Sequence, residues 1–254
     1  MYAERLEGGI EVVYLNQPRK KNALSGEMMT KLDALLRAAD VDDGVRVVVL
    51  RGAGDDFSSG GDLDQGPALE PGPEGARKTL RRYLAVVRTI RTMSKPVVAM
   101  VDGYAVGGAF ALVCASDLVC ASERALFVPA FCQIGIVPEM GMMKLLPDLV
   151  GPQRAKELLF FGGKIPALQL YDWGVVNRVF PTETLEADTL WFARQLAGMP
   201  DASIHLTKNI MNALADGNLE TCLEAARPRR RTPPPWRNLP AEPCEGETIW
   251  PSTT

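Results

Sequence analysis

An α/β fold with a largely parallel sheet follows from three observations. β-Branched runs are bounded by Gly, Pro and Asp turn signals, segments of helical period lie between them, and one run, Pro96-Val97-Val98-Ala99-Met100-Val101, is apolar throughout. Strands that alternate with helices place the helices as crossovers over a parallel sheet, and a continuous apolar run suits a strand buried on both faces.

In chain order, Ile10–Leu15 and Val45–Leu50 read as strands. Between them Ser25 is placed to cap a helix whose Met29, Leu32, Leu35, Leu36 and Ala39 share one face. A second amphipathic helix carries Leu80, Tyr83, Leu84, Val87 and Ile90 and ends before Pro96, where the buried strand begins. Gly66 to Gly75 is rich in Gly and Pro and is predicted to be a mobile loop. Beyond Pro181 the pattern turns helical, most clearly over Leu185–Leu196 and Ile204–Leu214. After Ala226 an Arg- and Pro-rich segment lacks apolar periodicity and is expected to be irregular; so abrupt a change is of the kind a shifted reading frame produces. The expected organisation is a core over 1–180, a helical region over 181–226 and a tail over 227–254.

Bulk properties exclude several classes. A chain of 254 residues, 46% hydrophobic and 23% charged, buries one large core, and a net charge of −3 gives no general attraction to nucleic acid or an anionic membrane. The N-terminal residues lack the basic and apolar regions of a signal peptide, no apolar run is long enough to span a bilayer, and the cytoplasm is the expected compartment. Five cysteines without a Cys-x-x-Cys pair suggest neither a disulfide framework nor a zinc ribbon. A single histidine, His205, disfavours a Ser-His-Asp triad or a multi-histidine metal site, so no metal is expected, and no nucleotide-binding glycine motif has the right spacing.

Chemistry concentrates in three segments. Phe57-Ser58-Ser59-Gly60-Gly61-Asp62-Leu63 and Asp102 to Ala109 are glycine-rich, and each could offer a backbone N–H to one substrate oxygen. Gly108 follows a predicted strand and precedes good helix formers, so its N–H would be an unsatisfied donor at the positive end of a helix dipole. Gly61 lacks a side chain that would keep a substrate from its N–H. Two such donors form an oxyanion hole, and removing one typically costs about 10²–10³ in rate; the competing reading is that the glycines only serve tight turns. The third segment, Gly135 to Gly141, holds Glu139 among Ile136, Val137, Met140, Met142 and Met143, which would desolvate it and raise its pKa. The alternative for Glu139 is a turn carboxylate that caps a helix opening near Met140.

These segments, with Asn16 to Leu24, Lys95 to Gly108, Ala115-Ser116-Asp117-Leu118, Arg154 to Phe160 and Gly174-Val175-Val176, resemble the crotonase, or enoyl-CoA hydratase/isomerase, superfamily from about Ile10 to Ala226. The resemblance implies a ββα spiral with a C-terminal helical region, trimers or dimers of trimers, and an acyl-CoA thioester whose oxygen is held by the N–H groups of Gly61 and Gly108. Coenzyme A would enter as part of the substrate, with no separate cofactor. It further implies substrate contacts from Lys20, Ala23, Leu24, Ser59, Asp62, Leu63, Ala111 and Phe131. Lys20 and Lys21 could meet the phosphates of coenzyme A or form a solvated surface pair. Asp62 is read as orienting its loop by accepting backbone N–H groups, in preference to proton transfer.

Departures from the family pattern bear on the reaction. Its hydratases place catalytic glutamates at positions that correspond here to Ala111 and Phe131, and neither replacement can exchange a proton. Glu139 stands where the resemblance puts the single catalytic glutamate of some Δ3,Δ2-enoyl-CoA isomerases. The expected activity is therefore movement of a double bond from C3 to C2 by one carboxylate. Another reaction on acyl-CoA (hydrolysis, decarboxylation or hydration) and a non-catalytic acyl-CoA binder are the alternatives. Lack of a central histidine speaks against the aryl-CoA dehalogenases of the family.

Overall fold

The computed structural model of the protein describes residues 1–62 and 73–216, with the backbone alone for 73–79 and 216. The first strands, β1 (Tyr2–Leu6) and β2 (Ile10–Leu15), form an antiparallel hairpin through Gly8 and Gly9, whose φ of 82° and 76° suit glycine. Helix α1 (Gly26–Val41) then crosses over to β3 (Val47–Gly52), parallel to β2. Ser25 caps α1 as expected, its hydroxyl accepting from the Met28 N–H at 3.1 Å. A second crossover through α2 (Pro73–Thr92) leads to β4 (Val97–Val101), parallel to β3.

The chain next makes a short strand, β5 (Tyr104–Val106), and helix α3 (Gly108–Ala115), before β6 (Leu118–Ser122) returns beside β4. Strand β7 (Leu126–Val128), helices α4 (Met142–Val150) and α5 (Pro152–Phe161), strand β8 (Ile165–Pro166) and helix α6 (Ala167–Asp172) follow. β9 (Arg178–Phe180) closes the main sheet, which has the order β1-β2-β3-β4-β6-β9, while β5, β7 and β8 form a second sheet. Helices α7 (Leu185–Ala197) and α8 (Asp201–Asp216) end the described chain.

The pleat divides each central strand between two cores. Val48, Leu50, Val97, Ala99 and Val101 enter the larger core beneath α1, α2 and α3, whereas Val47, Val49, Val98 and Met100 face Leu185, Ala193 and Ala197 of α7. Val47, Val48, Val49 and Leu50 are all fully buried, which accounts for a run without polar alternation. Both glycine-rich segments follow the carboxyl ends of β3 and β4, where parallel sheets present their loops to ligands.

The second strand lies two residues later than predicted, over Val47–Gly52, because Arg46 and Val47 still pair with the Gly9 carbonyl at the turn. Leu84, expected on the buried face of α2, is 39% exposed, while Val86 takes the core position. The last part of the predicted Gly66–Gly75 loop, from Pro73, is helical, and the remainder lies outside the described residues, as do the end of the expected helical region, 217–226, and the tail. Among the described residues no helix is long and apolar enough to cross a membrane.

Candidate active site

The site is assembled around the turn before α1. Lys21 and Asn22 adopt left-handed backbone conformations, with φ of 48° and 55°. Asn22 is fully buried; its Oδ1 accepts from the Gln17 N–H at 2.8 Å, and its Nδ2 donates to the carbonyls of Ala53 and Asp56 at 2.9 and 2.8 Å. This one amide ties the loop after β2 to the loop after β3. It was not among the predicted site residues, although an asparagine in a turn is itself a signal of left-handed backbone.

Leu24 emerges from this turn and pairs with the first glycine segment. Its N–H donates to the Gly60 carbonyl at 2.7 Å and its carbonyl accepts from the Asp62 N–H at 3.0 Å, so Gly61 is framed between the two bonds. Ser58 is laced to β5 in the same way, through Ser58 N–H to Tyr104 carbonyl and Val106 N–H to Ser58 carbonyl, at 2.8 and 3.0 Å. Ser59 braces the loop from the other side, its N–H and hydroxyl donating to the carbonyls of Lys21 and Lys20.

The two adjacent glycines differ. Gly60 has φ of 86°, and a Cβ there would stand 2.5 Å from the Val106 carbonyl oxygen, so the fold requires it. Gly61 has an ordinary φ, is exposed, and a Cβ on it would meet no atom of the described residues within 4 Å. Its N–H has no partner among the described residues. Among the described residues nothing demands glycine at 61.

Gly108 opens α3 as predicted, and its N–H also lacks a partner among the described residues. A Cβ on Gly108 would lie 3.7 Å from Cδ1 of Leu24 and 2.8 Å from Sδ of Met140. Leu24 therefore touches both glycines, with its backbone beside Gly61 and its side chain against Gly108. Ala111, one turn into α3, is fully buried, and Phe131, 7% exposed, brings its ring 3.9 Å from where a Cβ on Gly107 would be. Neither carries a titratable group.

Glu139 stands next to Met140 in a turn of two left-handed residues, Met140 with φ of 55° and Gly141 with φ of 77°. A methionine held in this conformation, and buried to 2%, is locally strained. Helix α4 begins at Met142, whose N–H donates to the Glu139 carbonyl at 3.0 Å; Gly141 occupies the capping position. The Glu139 carboxylate does not cap it, and has no hydrogen-bond partner among the described residues. Glu139 is exposed, in contrast to the burial expected of its apolar turn, and partial desolvation still holds its pKa above the ordinary glutamate value. Met140 and Met142 are buried beside it as expected, but Val137 and Met143 are 66% and 59% exposed and do not contribute to that desolvation.

The remaining candidates fall into place around this arrangement. Lys20 pairs with the buried Asp62 carboxylate at 3.3 Å, and Lys21 pairs with Asp56 at 3.3 Å. Asp62 thus takes an ammonium partner that its expected backbone role did not include. Ala23 is buried next to Leu24, and Leu63 lies outside the described residues. Tyr83 of α2, read from the sequence only as part of an apolar face, donates its hydroxyl to the Leu24 carbonyl at 2.5 Å.

Asp102 fastens the turn between β4 and β5 by accepting from Arg124, Ser122 and the Gly103 N–H. Burial opposes its charge, but those donors outweigh it and hold the carboxyl below its usual range. Asp117 accepts from the Val97 N–H and pairs with Lys208 at 2.8 Å, which makes it a strand-entry residue. His205 is held beside Asp201 near Arg46 and Lys95, at the amino ends of β3 and β4, the opposite edge of the sheet from the glycine loops. Cavities of about 140 and 460 Å³ occur beside the loop over 52–57, and neither is lined by Gly61, Gly108 or Glu139.

The model of the enoyl-CoA hydratase/isomerase family matches residues 5–230. The 1,2-epoxyphenylacetyl-CoA isomerase of Escherichia coli is 33% identical, over 89% of this chain and 87% of its own. A 4-chlorobenzoyl coenzyme A dehalogenase of Arthrobacter is 37% identical, over 85% and 79%. Enoyl-CoA delta isomerase 2 of Rattus norvegicus is 35% identical over 81% of this chain, which spans about half (52%) of that longer protein. Among solved structures, an enoyl-CoA hydratase from Bacillus anthracis superposes with a TM-score of 0.83 at 28% identity, covering 88% of this chain and 86% of that one.

Proposed function

The chain belongs to the enoyl-CoA hydratase/isomerase family, and we propose that within it this protein shifts the C3 double bond of an enoyl-CoA thioester to C2. The reading rests on one observation above all: a carboxylate with no partner among the described residues, its pKa raised, directly precedes Met140, whose sulfur packs against Gly108, while Ala111 and Phe131 offer no second acid. Glu139 takes a proton from C2, and the electron pair moves into the thioester carbonyl. The resulting enolate oxygen is held by the N–H groups of Gly61 and Gly108. The electrons return through C2–C3, the C3–C4 double bond opens, and C4 takes the proton from Glu139. One group that first accepts and then donates suffices, whereas hydration asks for both a water activator and a carbon acid.

Similarity to an epoxide-carrying acyl-CoA isomerase supports a second reading, in which the same enolate holder and base act on a strained ring substituent. Dehalogenation fits less well, since His205 sits at the far edge of the sheet. Lys20 and Lys21 are proposed to lie along the coenzyme A portion, and Leu63 and Phe131 along the acyl portion. A trimer or dimer of trimers is part of the same proposal; exposed Ile134, Phe160 and Phe161 suit a covered surface. So is a cytoplasmic location.

A panel of 3-enoyl-, 2-enoyl- and arylacetyl-CoA thioesters followed by mass spectrometry tests the reading. Isomerisation leaves the mass unchanged and moves the ultraviolet spectrum to that of a conjugated thioester. Release of free coenzyme A, or a product heavier by one water, as the dominant outcome contradicts it.

A further inference from the structure

Tyr83 is not used in the mechanism above, yet its hydroxyl reaches the backbone that presents one of the two amides. It belongs to α2, which packs against α1 and α3, and its ring lies against the main core. From there the phenol O–H donates to the Leu24 carbonyl at 2.5 Å, the same oxygen that accepts from the Asp62 N–H at 3.0 Å. Leu24 in turn donates to the Gly60 carbonyl at 2.7 Å. Residues 60–62 are thus hung from one residue, Leu24, and its carbonyl is fixed from behind by Tyr83. The free N–H of Gly61 belongs to this suspended segment.

We propose that Tyr83 is a positioning residue: by anchoring the Leu24 carbonyl it sets the direction of the Gly61 N–H towards the substrate oxygen. The phenol is also suited to keep that role in a working enzyme. Burial first, and then the charges of Asp62 and Glu139, hold its pKa above the ordinary tyrosine value, so it remains a neutral donor. Tyr83 therefore lies within electrostatic reach of the acid while it is bonded to the support of the amide, and α2 links the two halves of the site.

The inference rests on the oxyanion-hole reading, and a vibrational measurement separates the two. Difference infrared spectra are taken of a saturated, unreactive acyl-CoA labelled with 13C at the thioester carbonyl, free and bound to the full chain. Polarisation by two amides lowers the carbonyl stretching frequency in the wild-type complex; a band unmoved from its free position overturns the oxyanion-hole reading itself. Given a lowered band, Tyr83→Phe is expected to return it part of the way towards the free position and to reduce kcat about tenfold with little change in KM, as loss of an interaction made in the transition state requires. 4-Aminophenylalanine at 83 keeps a weaker donor at the same place and is expected to recover part of both effects. A Tyr83→Phe enzyme with the wild-type band and kcat, whatever its melting temperature, overturns the inference. If that variant does not fold, the 4-aminophenylalanine band decides alone, a displaced band supporting the role and an unmoved one overturning it.

Discussion

The sulfur of Met140 rests against the α-carbon of Gly108, 2.8 Å from where a Cβ would stand. The residue after the candidate base is thereby wedged against one of the candidate oxyanion donors. Gly108→Ala should push Met140 aside and carry Glu139 with it, so that one methyl group disturbs acid and amide together. Gly108→Ala keeps its backbone N–H and only displaces what surrounds it, so the cost of about 10²–10³ in rate for outright loss of a donor is the upper bound on the fall expected in kcat/KM, while circular dichroism reports an intact fold.

Gly60 and Gly61 should separate folding from function. Gly60→Ala forces a side chain into a left-handed conformation and against the Val106 carbonyl, and is expected to destabilise the protein by at least about 1–2 kcal/mol. Gly61→Ala meets no atom of the described residues. It should leave stability unchanged or raise it by about 0.4–1 kcal/mol through the unfolded state, while kcat/KM falls. Denaturant melts paired with kinetics check both.

Asp102 gives a pH-dependent brace. Its pKa is depressed in the fold, so the stability it contributes is present above the unfolded-state pKa and is lost as pH falls through the folded one. Asp102→Asn should lower stability at neutral pH by about 1–3 kcal/mol, and the gap from wild type should close in acid, as followed by urea melts from neutral pH to below pH 3.

Glu139 has the opposite sign. Its pKa is raised, so the folded state binds the proton more tightly, and ionisation subtracts stability as pH rises from the unfolded-state pKa through the folded one. Glu139→Gln is expected to be at least as stable as wild type at neutral pH. For wild type, kcat/KM should rise with pH through a pKa above the ordinary 4.5, since the base acts ionised. A limb at or below that value would show that desolvation does not tune this carboxyl.

The parts of the fold that were legible are those with a long enough period. β2 and the Ser25-capped α1 follow from the pattern because tertiary packing agrees with it, and β4 from its unbroken apolar run. β5, β7 and β8, of two or three residues each, are too short to carry a period, and the edge strand β1 is almost wholly exposed, so no apolar alternation marks it. At the site, Gly108 and Gly61 could be read because an orphan donor and an absent side chain are local properties. The Lys20–Asp62 pair and the Tyr83–Leu24 bond span 42 and 59 positions, and no local pattern announces them. Val137 and Met143 are exposed where burial is expected because a methionine-rich turn gives no sign of which side chains face inward.

The most direct measurement of the central claim is the rate at which a 3-enoyl-CoA becomes the conjugated 2-enoyl-CoA, read by ultraviolet absorption for wild type and Glu139→Gln at equal concentrations of folded protein. General acid–base catalysis is worth about 10²–10⁴, and a loss of that size in kcat, with thioester binding retained, is the expected result. Equal rates for the two proteins would contradict Glu139 as the carrier of the proton.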